Sequence, residues 1–178
     1  MRRPAVLFAM IAALLIPPVV YAHSPNPSQE KKEYLTEQEA DKIRDADTPS
    51  ERIKLYVSFA EDRLKKFQYE LNRKVAERKR SEILNSLMNA YVSCIDDAAD
   101  QIDVAREKQA DIRLALKLMK SKGQEFLDVL EKLDQGGPEF DTYKDTLEDA
   151  IEGTKDALSD IETAEKELSS PPVRRKAP

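Results

Sequence analysis

Apolar residues recur along this chain at three- and four-residue steps. Ile53, Val57, Ala60, Leu64, Phe67, Leu71 and Val75 form one such stripe. Leu84, Leu87, Tyr91, Cys94, Ala98, Ile102 and Ala105 form a second. Ile112, Leu116, Met119, Phe126, Leu130 and Leu133 form a third. Phe140, Tyr143, Leu147, Ile151, Leu158, Ile161 and Leu168 form a fourth. Each is the buried face of an amphipathic helix. Period-two alternation is never sustained. The expected fold is all-α: an up-down antiparallel bundle of about four long helices preceded by one short N-terminal helix.

Start and stop signals sharpen these elements. Thr48, Pro49 and Glu51 read as N-cap, first helical position and capping-box partner. Thr36 with Glu39 repeats the signal and opens a short helix toward Arg44. The first and second stripes differ in phase by about two residues, and "AERKRSE" between them carries no large apolar side chain. That predicts a turn, with Ser81 as a cap for the next helix. "DQGGP" is the strongest break and places the last helix near Pro138. The second and third stripes share one heptad phase from Leu84 to Leu133. They therefore read either as one helix about 75 Å long or as a hairpin. Equal helix lengths favour the hairpin, turning near "EKQAD" with Asp111 as N-cap.

Beside the first stripe, Leu55, Tyr56 and Phe59 widen the apolar face. The expected role is to cover Tyr34, Leu35 and Ile43 of the short helix. The alternative is a contact surface for a partner.

The ends differ from the middle. Arg2 and Arg3 precede an unbroken apolar run, Ala5 to Ile16, closed by Pro17 and Pro18. Val20-Tyr21-Ala22 follows. This three-part pattern predicts a secretory signal peptide over residues 1–22, cleaved after Ala22, leading to a periplasmic or secreted protein. The run is too short for a membrane span, and no span is expected in the mature chain. Residues 23–35 read as a proline-containing spacer, 36–168 as the helical domain, and 169–178 as a proline-rich basic tail carrying Arg174, Arg175 and Lys176.

Charge excludes some functions. Without Arg2 and Arg3, 27 basic residues face 34 acidic ones, a net −7. No basic domain remains to bind nucleic acid. Within the chain the signs segregate: residues 49–80 carry +5, 81–110 carry −4 and 138–168 carry −8. In a simple up-down ring the basic helix would stand between acidic neighbours.

Candidate chemistry is sparse. With Ala98 as reference, Leu87, Tyr91, Cys94, Ile102 and Ala105 fall within about 40° on the helical wheel. Asp96, Asp100, Asp103 and Glu107 fall near the opposite side. Cys94 therefore reads as a small core hydrophobe. An intermolecular disulfide would need its face open. The acidic line reads as a solvated face, with cation binding as the sharper alternative; calcium would want more oxygens and a glycine turn. His23 is the one histidine, so no di-iron motif and no Ser-His-Asp set is possible. No phosphate-binding glycine loop and no haem-attachment motif occurs. No cofactor is implied.

The reading is an exported, non-enzymatic binding or structural module whose partner is a protein or envelope component. Leu55, Tyr56, Phe59, Arg174, Arg175 and Lys176 are the interaction candidates. A divalent-cation-binding or envelope-stress protein using Asp96, Asp100, Asp103 and Glu107, and the acidic run from Asp145 to Asp160, is the second reading. A hydrolase with a carboxylate pair is the third and least supported.

Overall fold

A computed structural model describes residues 33–74, 79–137 and 139–169. Among them are five α-helices and no strand: α1 Glu37–Asp45, α2 Pro49–Asn72, α3 Arg80–Lys108, α4 Arg113–Asp134 and α5 Lys144–Ser169. The all-α bundle expected from the stripes is present.

Both capping boxes form. Thr36 Oγ1 accepts from the Glu39 N–H at 3.2 Å, and the Glu39 carboxylate accepts from the Thr36 N–H at 2.9 Å. Thr48 and Glu51 repeat this at 3.2 and 3.1 Å, with Pro49 in the first turn of α2. Orphan N–H groups at both helix starts are thereby satisfied.

The later boundaries follow tertiary contacts. Ser81 is not a cap: α3 begins one residue before it, and Lys79 at the cap position makes no side-chain cap bond. Arg80 takes over the junction instead. Its buried guanidinium donates to the carbonyls of Arg73, at 2.9 Å, and Leu71, closing the open end of α2. It also lies 3.1 Å from the Glu139 carboxylate. The hairpin reading of residues 84–133 is the correct one. α3 ends at Gln109, which adopts φ 52° and ψ 37°, and the Ala110 N–H reaches back to the Ala105 carbonyl at 2.9 Å. This left-handed C-terminal closure is usually made by glycine. Asp111 acts one residue off the expected cap: Ile112 holds the cap position, while Asp111 Oδ1 accepts from the Arg113 N–H at 3.1 Å.

The last helix starts at Lys144, not near Pro138. Gly136 and Glu139 take positive φ, and residues Phe140–Thr142 form a 3-10 turn. That turn sets Tyr143 edge-on against Phe67 of α2, with ring centroids 5.2 Å apart. Burying Tyr143 before the helix begins is what delays it.

The helices run up, down, up, down, but their order around the bundle is not the simple one. The main packing pairs are α2 with α3, α3 with α5, α5 with α4, and α4 with α2. The 109–112 connection therefore crosses the end of the bundle, and α3 and α4 stand on a diagonal. They meet through the core, where Tyr91 and Phe126 pack edge-on at 5.9 Å. This corrects the expected charge layout. α2 itself carries five basic and four acidic residues, the excess of the 49–80 span lying at residues 73–80; it is flanked by α3 and α4, and the acidic α5 runs parallel beside the acidic α3. Tyr91 Oη and Thr154 Oγ1, 2.7 Å apart, join those two helices inside the core.

Candidate functional site

The acidic line lies on the outer side of α3. Asp96, Asp100, Asp103 and Glu107 are all exposed. Asp103 pairs with Arg106, which also donates to Glu167 of α5 at 2.8 Å. The Asp96 carboxyl is held above the usual aspartate range, first by partial burial and then by Asp100 and by Asp156 across the α3–α5 seam. Among the described residues no three Asp, Glu, Cys or His side chains converge to hold a metal ion. Four carboxylates spread along one helix face point away from a common centre, so the fold does not assemble them into a chelate.

Cys94 is a fully buried thiol on α3. Its helix face is closed by the bundle, so an intermolecular disulfide has no access to it.

On α2, Tyr56 and Phe59 are buried and Leu55 is half-buried. Tyr56, Phe59 and Leu35 belong to the core cluster of the bundle, and Leu55, Tyr34 and Ile43 pack against that cluster. As folded, these side chains are core rather than open surface. A charged residue completes the same face. Arg63, 5% exposed, donates to Glu39 Oε1 at 3.0 Å, to Glu39 Oε2 at 2.6 Å, to the Tyr34 carbonyl at 3.2 Å and to Asp62 at 2.7 Å. Burial acts to raise the Glu39 pKa, yet hydrogen bonds from Arg63 and Thr36 outweigh it and hold this carboxyl below the ordinary glutamate range. The periodicity contained the signal for Arg63: it stands four residues from both Phe59 and Phe67, at an apolar phase. Arg174, Arg175, Lys176 and His23 lie outside the described residues.

A sizeable cleft opens at the bundle end that holds the 109–112 connection. It encloses about 410 Å3. Its floor is apolar, built by Ile102 and Ala105 of α3, Ile112 of the connection, and Ala164 and Leu168 of α5. Its rim is charged: Arg106 with Glu167, and Asp111 with Arg113 at 2.9 Å. The cleft exists because the connection crosses the bundle instead of running between neighbours. That leaves the ends of α3 and α5 without a capping layer.

Exposed leucines stand at the end of α5 and in the first turns of α4. Leu168 on the floor is 45% exposed. Leu114, beside Arg113 on the rim, is 77% exposed, and Leu118 one turn along α4 is 38% exposed. Both face away from the α4 core stripe of Leu116, Met119, Phe126 and Leu130. Sequence reasoning missed this site. Ile112 and Leu168 end their stripes, so their position at an open helix end was readable; their meeting across α3, α4 and α5 was not.

This arrangement can bind an apolar group and orient a charged one beside it. It offers no nucleophile with an adjacent base. No helix among the described residues is long and apolar enough to cross a membrane. No protein-family model, no curated protein and no solved structure matches this chain.

Proposed function

We propose that this chain is an exported, non-enzymatic binding module that takes an apolar group of a partner protein or envelope component into the bundle-end cleft. The observation carrying this reading is the cleft itself: an apolar floor within the size range of binding pockets, with charges of both signs on its rim and exposed leucines beside it. Large exposed apolar residues gathered at one end of a bundle otherwise tend to cause association. The export part of the reading rests on the signal-peptide pattern of residues 1–22.

Native mass spectrometry of the protein isolated gently from the envelope fraction tests both parts. The expected species begins at His23 and carries a bound component that Leu168→Asp removes. A species retaining residues 1–22, or one with no bound component in either chain, counts against the reading. Leu168 is exposed, so its substitution leaves the fold intact.

A further inference from the structure

The bundle-end cleft sits where α5 stops. Leu168 lines it, 45% exposed, and Ser169 is the last residue of α5. The chain then continues as Ser170-Pro171-Pro172-Val173-Arg174-Arg175-Lys176-Ala177-Pro178. These nine residues lie outside the described ones, but their side chains come in a definite order. Three apolar residues are first, and the two prolines bring no N–H that could extend α5. Arg174, Arg175 and Lys176 follow and carry +3.

The cleft offers complementary groups in the same neighbourhood. Its floor of Ile102, Ala105, Ile112 and Ala164 is apolar and begins beside Leu168. α3 and α5 run parallel, so the C-terminal ends of both helices, with their partial negative charge, meet here. Charged side chains lean the same way. The last ten residues of α5 hold four carboxylates and one lysine; with the partners that reach them from α3 and α4, Asp103, Arg106 and Lys120, the balance is −2. The other rim cation, Arg113, is held by Asp111.

We propose that residues 170–178 are the cleft's occupant in cis. They turn back from Ser169, lay Pro172 and Val173 over the apolar floor and set Arg174 to Lys176 against the carboxylates and helix ends of α3 and α5. An outside apolar group then binds only by displacing them, so the segment regulates access. The inference rests on the cleft being the binding site, as read above. Reach is no obstacle: nine residues extend to about 30 Å, far beyond the width of a cleft of about 410 Å3. A segment tethered this closely is present at about millimolar effective concentration. A contact that is weak between separate molecules therefore suffices to keep the cleft filled.

Methyl NMR of the full chain tests this. Val173→Asp is expected to shift the methyls of Ile102, Ile112 and Ala164, while those of Leu84 and Met88, at the other end of α3, stay in place. Arg174→Glu combined with Arg175→Glu is expected to shift the same three. A synthetic peptide of residues 170–178 titrated into the Val173→Asp chain should return them toward their positions in the unaltered chain. The peptide should bind the unaltered chain about tenfold more weakly, because there it competes with the tethered segment. Coincident methyl positions in the unaltered and Val173→Asp chains overturn the proposal, as does equal peptide binding, or none, to both. Methyl positions of the unaltered chain that change on dilution also overturn it, because the segment would then come from a second copy. Native mass spectrometry separates this inference from the proposed function. A component retained by a chain whose methyls ignore Val173→Asp removes the cis occupant alone. Methyls that respond in a chain that never retains a component remove the proposed function alone.

Discussion

The Tyr91–Thr154 hydrogen bond allows a quantitative test of how the two acidic helices are held side by side. Thr154 Oγ1 lies 2.6 Å from the Ala150 carbonyl and commits its only proton there. Tyr91 is therefore the donor across the 2.7 Å contact to Thr154. Both residues are within 1% of complete burial. Burial also drives the phenol pKa well above its ordinary value, so Tyr91 remains a donor at any pH the fold survives. Thr154→Val keeps the shape and strands the phenol hydroxyl, which costs about 1–3 kcal/mol. Tyr91→Phe removes the donor while Thr154 keeps its bond to Ala150, a loss of about 0.5–1.5 kcal/mol. With both changes the site is apolar and still filled, so the double variant is expected to cost less than the two single losses added together. The coupling should be about 1 kcal/mol or more. Urea unfolding of the four proteins measures it, with unchanged m-values as the condition for comparison. In thermal melts each kcal/mol corresponds to about 2–4 °C for a chain of this length. Additivity within about 0.5 kcal/mol would refute the reasoning and show that the phenol finds another partner once Thr154 is gone.

Two helical glycines should respond differently to alanine. At Gly153 a Cβ would make ordinary contacts with Asp96 at 3.7 Å and Val92 at 3.8 Å, so Gly153→Ala is expected to stabilise by about 0.5–1 kcal/mol. At Gly123 a Cβ would meet Leu158 Cδ2 at 3.0 Å, and Gly123→Ala is expected to show a smaller gain or a loss in the same unfolding assay. Asp96→Asn should stabilise at pH 7 by a few tenths of a kcal/mol, because it relieves like charge on an exposed face. Since the Asp96 pKa is raised in the fold, that advantage should shrink as pH falls through its folded value and vanish below the unfolded one. Glu39 has the opposite sign. Its pKa is lowered, so its contribution is complete above the unfolded glutamate value and is lost as pH falls through the folded one. NMR titration should show α1 resonances departing before those of α2–α5, and Glu39→Gln should remove that acid-dependent step.

Much of this molecule is written locally. Thr36 with Glu39 and Thr48 with Glu51 start their helices wherever the rest of the chain lies, because a capping box is closed by residues three apart. The four stripes specified their helices for the same reason: an apolar face at 3.6-residue period has to be buried somewhere. That logic also put Cys94 inside and the Asp96–Glu107 line outside. It stopped at junctions governed by distant partners. Arg80 seals the end of α2, Tyr143 needs Phe67 across the bundle, and Gln109 accepts a left-handed conformation so that α4 can begin.

What the sequence determined by itself was the identity of the helices and the face each one buries. Only the tertiary structure decided which helices became neighbours. Periodicity states that a face is buried and not against what, and exposed charge pairs contribute about 0–1 kcal/mol each, too little to set the order against core packing. The aromatic contacts Tyr91–Phe126 and Phe67–Tyr143 fill the diagonals, and the 109–112 connection crosses the bundle end. With that crossing come the parallel acidic pair α3–α5 and the open cleft above Ile102 and Ala164. The clasp of Arg63 on Glu39 arises in the same way, since the two residues stand 24 positions apart and meet only when α1 folds back along α2.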